Sequence, residues 1–527
     1  MATDQAQEHA QEQRHSSSAL DSGFEHTEAS PLLQDHPRRP AHRTGLSVAS
    51  IASIAKLPKA HRSNTIVNLL CLIIFIATSA GGFVAIPYTR LVEDVLCHQY
   101  YDVESMQPID ENLCKENTIQ SKLAFIIAIG GAIDAIVGFL AAFPWGLVAD
   151  RFGRKPVSAL AIAGLVMGLL WTMAVVYFHN ALQLEAVWLA SAGSLLGGGN
   201  AVLIGVILSM ISDATNEEER AIAFMRTHVC SLGGNLLSPA LASAMMIKTG
   251  PWPPLWVAVA LQVVSAVSFL FLPETLPHKR LHGNDEATEP ANLKSRMSRY
   301  RESLSMLKSP SLVLLLLTAL VTGPVAYSTL QFMVQFISKR YSLRLYETGY
   351  VQAAFGVAQV VQALIILPWW SRFLLKETTP ATLRAPGEHH RDLSISRWSF
   401  AILTIGVMVL GLSPTLASFI FGLMLMALGS GFNSLARSVM SLYVDPEHRS
   451  RLFSLVGMVD VLGVVYAQPM LAGLFALGLK LGGGWIGLPY YGLAVLVATA
   501  GSLLLFVRLP GTGQGLSPAH EDENHQD

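Results

Sequence analysis

Twelve apolar runs, each on the order of 20 residues, succeed one another along this chain, and few folds accept so much hydrocarbon. They lie at 66–88, 123–145, 157–178, 186–211, 221–247, 255–272, 312–337, 349–369, 398–412, 417–442, 452–477 and 488–507. A helix rises about 1.5 Å per residue, so such a run crosses the ~30 Å hydrocarbon core of a bilayer. In lipid every backbone N–H and C=O must be paired within the protein, which leaves only helices or closed barrels. Barrel strands would alternate apolar and polar residues over segments of about 10, and these runs do not. Hydrophobic residues make up 51% of the 527 and charged residues 14%, too few charges to cover a water-exposed surface. The expectation is an all-α membrane protein of twelve transmembrane helices. A net charge of −1 offers no basic surface for nucleic acid.

Orientation follows from Lys and Arg in the short loops, which stay in the cytosol. Arg151, Arg154 and Lys155 follow the second run; Lys279, Arg280, Lys294, Arg296, Arg299, Arg301 and Lys308 follow the sixth; Arg372, Lys376, Arg384, Arg391 and Arg397 follow the eighth. Lys56, Lys59 and Arg62 precede the first, so both termini are expected in the cytosol. Lys339, Arg340 and Arg344 fall on the expected outer side, against the trend. The first outer loop is acidic, with Glu93, Asp94, Asp102, Glu104, Asp110, Glu111 and Glu116 against Arg90 and Lys115. It also holds Cys97 and Cys114, which on an oxidising face either pair or stand as two free thiols. The other two cysteines, Cys71 and Cys230, lie within apolar runs.

Residues 1–62 carry Gln, His, Ser, Glu and Pro without apolar period and read as a disordered cytosolic tail. Within it, Glu28, Leu32 and Leu33 have the form of an acidic dileucine sorting signal, as found on lysosomal and vacuolar cargo. A polar linker over 277–310 separates two six-helix halves, 63–276 and 311–510, before a short tail at 511–527. The halves echo one another. Arg220 and Phe224 before the fifth run match the spacing of Arg449 and Phe453 before the eleventh; Gly197-Gly-Gly199 answers Gly429-Ser-Gly431, and Pro239 answers Pro469. Such duplication predicts two pseudo-symmetric halves with cargo held between them at mid-depth.

Between the second and third runs the chain reads Gly146-Leu-Val-Ala-Asp150-Arg151-Phe-Gly153-Arg154-Lys155-Pro156. Burying those charges in hydrocarbon would cost about 2.5–3.5 kcal/mol each, so the string must be a tight turn in water. It resembles the signature of the major facilitator superfamily, and with the duplication that resemblance spans about residues 63–510. The resemblance implies an alternating-access carrier whose Asp150 caps the start of the eleventh helix, near residues 450–453, and clamps the halves at their cytosolic ends. It also implies that Arg154 pairs with Asp213 at the end of the fourth helix. Gly146, Asp150, Arg151, Gly153, Arg154, Lys155 and Asp213 are thus the candidate conformational latch. The second half keeps only bases at the corresponding place, Arg372 and Lys376.

Ionisable groups inside membrane helices are functional candidates, because they are costly there. Asp134 and Asp460 are the two carboxylates of this kind, each a candidate proton site or a structural acid. Asn200, Asn235, Gln331, Gln335, Gln352 and Gln359 are polar at membrane depth, and the two Gln pairs each share a helical face, expected to line the cavity. Arg226 and His228 open the fifth run. Tyr327, Phe332, Tyr350, Phe355 and Trp145 are expected to give that cavity flat apolar walls suited to uncharged or weakly polar compounds. The family's twelve-span drug-efflux group carries an arginine in the fourth helix where this chain has Gly193, which separates it from coupling through that residue. The expected function is secondary active export of small organic compounds, drugs or metabolites, with proton coupling open. Alternatives are a nutrient symporter or facilitative carrier, or, in a different class, a non-transporting membrane sensor. Neither a phosphate-binding Gly-x-x-x-x-Gly-Lys string nor metal-spaced Cys and His occurs, so no cofactor, metal or enzyme activity is expected. The expected setting is a monomer in the lipid bilayer of the plasma or vacuolar membrane.

Overall fold

The computed structural model describes residues 63–103, 109–215, 217–273, 309–375, 388–444 and 449–509. The dileucine string, the terminal tails and the linker over 274–308 lie outside the described residues. Twelve helical passes and no strand occur among the described residues. They are α1 (Ser63–Tyr101), α2 (Asn117–Phe152), α3 (Arg154–Tyr177), α4 (Leu184–Leu195 and Gly199–Ala214), α5 (Glu217–Thr249) and α6 (Trp252–Ser268). The second half repeats the count: α7 (Pro310–Ala319, Thr322–Tyr327, Ser328–Phe332 and Met333–Tyr341), α8 (Leu345–Val361, Gln362–Ile366 and Leu367–Leu375), α9 (Glu388–Leu412), α10 (Leu416–Gly429 and Phe432–Met440), α11 (Arg449–Leu481) and α12 (Leu488–Leu505). Ten are long and apolar enough to cross a membrane; α6 and the first piece of α10 are shorter.

The apolar runs place these passes well but miss their breaks. α4, expected as one helix, is a 3₁₀ turn over Leu184–Leu195 followed by a kink at Gly197, Gly198 and Gly199, whose φ values of 77°, 81° and 60° suit glycine alone. The cause is close approach to α3: a Cβ at Gly193 would lie 2.4 Å from the Gly164 carbonyl oxygen, and one at Gly197 2.2 Å from the Ala161 nitrogen. The broken helix exposes carbonyls, and indole N–H groups take them up. Trp145 donates to Leu195 O at 2.7 Å and Trp171 to Ala186 O at 2.8 Å. α7 and α8 each contain one π-helical turn, at Ser328–Phe332 and Gln362–Ile366.

The two halves are built alike and cored differently. In each, a base on the third helix caps the carbonyl end of the sixth: Lys155 Nζ donates to Leu272 O at 3.0 Å, and Arg397 donates to Leu504, Leu505 and Val507 O at 3.2, 3.3 and 3.2 Å. The second half holds one continuous apolar core from Leu312 to Val507. The first half holds two, one around the Cys97–Cys114 end and one around Ile66, Val202 and Phe269 toward the Asp150 end. The halves meet along two seams, α2 with α11 and α5 with α8, which the internal repeat exchanges. Small residues allow this contact: Gly131 faces Gln468, and Gly349 faces Pro239 O.

Candidate functional site

Between the two cores of the first half lies a cavity of about 850 Å³, bordered also by Gln331 and Gln352 of the second half. Asp134 is the sole carboxylate among its lining residues, and no Lys or Arg joins it. The Ser194 hydroxyl, at the end of the 3₁₀ piece of α4, donates to Asp134 Oδ1 at 2.9 Å. The kink in α4 therefore sets the geometry of the site: it places Ser194 against the acid and puts Asn200, in the first turn of the next helical piece, on the cavity wall. His228 and Asn235 of α5 complete the polar rim, with Asn235 Nδ2 also donating to Ser231 O at 3.1 Å. Gln262 Oε1 and Ser265 Oγ on α6 also line the cavity, buried and without a hydrogen-bond partner. Sequence reasoning passed over both, although polar residues one turn apart in an apolar run were the available signal.

Several expected members lie elsewhere. Gln335 is buried against α2, its Nε2 donating to Gln120 O at 2.6 Å, because the π-helical turn at Ser328–Phe332 changes the helical phase between Gln331 and Gln335. Gln359, about 10 Å further along α8 than Gln352, is not among the lining residues. Asp460 lies outside the cavity, where Arg437 Nη2 of α10 holds it at 2.6 Å. That arginine was missed as its partner. The aromatic walls are also displaced: Phe332 and Phe355 pack in the second-half core, Trp145 serves the α4 break, and Tyr350 and Tyr327 do not line the cavity. Tyr88 and Phe224 are the aromatic groups that do.

At the Asp150 end, α2 stops at Gly153, whose φ of 110° excludes other residues and whose N–H bonds Ala149 O at 3.2 Å. Pro156 falls in the first turn of α3. Arg154 forms an ion pair with Asp213 at the end of α4, joining α3 to α4 within one half. Arg151 lies over the Phe152 ring at 5.8 Å. Asp150 is exposed, and Gly146 has open space where a side chain would go.

The opposite end is tied. Cys97 and Cys114 form a disulfide, fastening the end of α1 to the turn before α2. From there polar contacts among the described residues cross between halves: Glu111 Oε1 accepts from Leu345 N at 2.6 Å, Lys339 Nζ donates to Lys115 O, Gln335 donates to Gln120 O, and Asn117 Nδ2 donates to Leu479 O at 3.2 Å. Burial follows the same gradient. In α2, Ile119, Gln120, Leu123, Ala124 and Ala128 are buried near the disulfide, whereas Leu140, Phe143 and Leu147 toward Asp150 are exposed. In α8, Leu345, Val351 and Phe355 are buried, and Ile365 and Trp369 are exposed. Among the described residues, the polar contacts across the seams lie at the disulfide end, and burial along α2 and α8 thins toward the other.

Comparison with known proteins agrees with this architecture. The family model described as Major Facilitator Superfamily matches residues 118–384. The chain is 29% identical over 500 residues to the "MFS efflux pump atnC" of Emericella nidulans, covering 92% of this chain and 93% of that protein. It is 28% identical over 422 residues to the "Efflux pump ustT" of Aspergillus flavus, covering 77% and 80%. Among solved structures, the nucleoside transporter NupG superposes with a TM-score of 0.55 at 15% identity, covering 84% of this chain and all of that one. A bacterial homologue of the iron transporter ferroportin, solved in an inward-facing state, gives 0.55 at 15% identity, covering 84% and 98%.

Proposed function

Because the chain belongs to the major facilitator superfamily and is a secondary transporter, we propose that it exports small organic compounds from the cytosol by alternating access. The observation that carries this reading is a cavity with a single carboxylate among its lining residues, set in a bundle whose seams are tied by polar contacts at one end and less buried toward the other. The Lys and Arg bias supports placing the less buried end, and both termini with it, in the cytosol, and on this reading the conformation is cytosol-open, ready to load cargo for export. The efflux pumps among its relatives support the same direction. We assign Asp134, with Ser194, the exchange of a proton or of a charged part of the cargo, and Asn200, Asn235, Gln331 and Gln352 the polar contacts to it. Coupling through a fourth-helix arginine has no place here, since Gly193 is packed against the Gly164 carbonyl and leaves no room for a side chain. In the opposite state Asp150 caps α11 and, with the Arg154–Asp213 pair holding its turn, closes the cytosolic end. The protein works as a monomer in the plasma or vacuolar membrane.

Inside-out vesicles with an imposed proton gradient, screened over hydrophobic compounds, test the reading. Accumulation of at least one compound, lost in Asp134→Asn, is expected. Transport by Asp134→Asn that still follows the gradient would remove Asp134 from coupling, and no accumulation of any compound in vesicles of verified orientation would remove export.

A further inference from the structure

The acidic outer loop, which cargo handling leaves unexplained, carries the contact that closes its end of the bundle. Ordinarily the first N–H groups of a helix face water or a residue of the same segment. α8 departs from this. Its N-cap Arg344 is served by Glu347 of its own first turn at 3.0 Å, but the N–H of Leu345 is taken at 2.6 Å by Glu111, which belongs to the other half of the molecule. We infer that Glu111 is a positioning residue of the transport cycle, a cap on α8 that latches the disulfide end shut while the cytosolic end is open. The inference rests on the alternating-access reading above.

Three features suit Glu111 to this part. Its carboxylate is held ready from behind: Lys115 Nζ bonds the same Oε1 at 3.0 Å, and Arg90 Nε lies 4.0 Å from Oε2. Those two bases are themselves fixed by the buried Glu93, which Lys115 reaches at 2.8 Å and Arg90 at 3.1 Å. The segment that carries Glu111 is held on both sides of it: Cys114, three residues on, is bonded to Cys97, and Arg90 Nη2 donates to Ile109 O at 3.0 Å. The helix it caps reaches the cavity: Gln352 lies two turns below Leu345, and Gly349 between them packs on α5 at Pro239. Releasing the cap therefore frees the α5–α8 seam where it borders the cargo site. The arrangement is the counterpart of the proposed Asp150 contact, an acid from a first-half connection set on the N-terminus of a second-half helix, at the opposite end and on the other seam.

The test is hydrogen–deuterium exchange on the full chain in nanodiscs, without cargo, for the parent, Glu111→Gln, Glu111→Asp and, as a control on the same loop, Asp110→Asn. Glu111→Gln is expected to speed exchange in residues 333–349 and to slow it about tenfold in 146–156 and 449–456, some 50 Å away along the bundle. Glu111→Asp should restore most of the parent pattern, and Asp110→Asn should match the parent. The reciprocal slowing is the decisive readout, because a loop that merely loosens cannot protect the far end. Faster exchange confined to 109–116, or an unchanged pattern in Glu111→Gln with the disulfide verified intact by mass, would overturn the latch. Neither outcome depends on whether a compound is exported, so failure here and failure of the export reading are separable.

Discussion

The two ends of this bundle use similar chemistry to opposite effect. Among the described residues of the Asp150 end, the strong contacts stay inside one half: Arg154 with Asp213, Lys155 with Leu272 O, and Arg397 with the end of α12. At the disulfide end, besides the cross-link and the ion pairs of Glu93 and Glu111 inside the first half, polar contacts also cross between halves, through Glu111, Lys339, Gln335 and Asn117. Contacts of the first kind hold each half together; on the alternating-access reading, contacts of the second kind belong to one conformation and so choose it. The difference also accounts for Lys339 and Arg340, which break the charge bias. Their partners are backbone carbonyls of the closed end, Lys115 O and Gly483 O.

Fixing the closed end permanently should have the largest effect. With Gln120→Cys and Gln335→Cys oxidised to a disulfide, transport should fall to background and return on reduction, while the parent protein treated the same way keeps its rate. Undiminished transport by the cross-linked pair would mean that this end does not open during the cycle. Next comes the native cross-link. Removing it in Cys97→Ser/Cys114→Ser releases a loop of 17 residues, whose closure is worth about 3 kcal/mol by chain entropy. Thermal unfolding followed by tryptophan fluorescence should show that loss as a lowered Tm, with amide exchange rising most over 109–116. An equal rise over 146–156 would assign the disulfide to the stability of the whole bundle instead of to one end.

The contrast between the ends was only half legible in the sequence. Twelve passes followed from apolar length alone, since lipid admits no other arrangement of those runs. The Cys97–Cys114 loop and the Arg154–Asp213 pair lie between residues close in sequence or matched by a family signature, so their partners could be named. What crosses between halves could not. Gln331 and Gln335 share a face on a regular α-helix, and a single π-helical turn sends one to the cavity and the other to α2. The kink of α4 was equally hidden, because three glycines read alike as packing or as a break until α3 is placed against them. Glu111 stood among seven acids of one loop, and only the position of α8 distinguishes it.

Effects at the open end should be smaller in free energy but visible in rate. A charge at a helix N-terminus contributes about 0.3–1 kcal/mol, up to ~2 when partly buried, so Asp150→Asn should shift the balance of the two states by about two- to thirtyfold toward the cytosol-open one. Transport should fall by a similar factor with membrane insertion unchanged, and exchange at the disulfide end should not rise. Normal transport by correctly inserted Asp150→Asn would leave the turn as a topology signal alone.

The smallest expected change distinguishes charge from geometry at the closed end. Lys339 reaches a backbone carbonyl, not a carboxylate, so Lys339→Gln keeps a donor and removes only the charge-assisted part of the bond. Hydrogen bonds between membrane helices average about 0.6 kcal/mol, which corresponds to roughly a threefold change in transport rate at most. If the closed end depended on net charge around the acidic loop, Lys339→Gln would match Glu111→Gln in size, and raising salt would weaken both alike. If it depends on the cap that Glu111 places on α8, Lys339→Gln should stay well below Glu111→Gln at every salt concentration, because the Leu345 N–H then still has its partner.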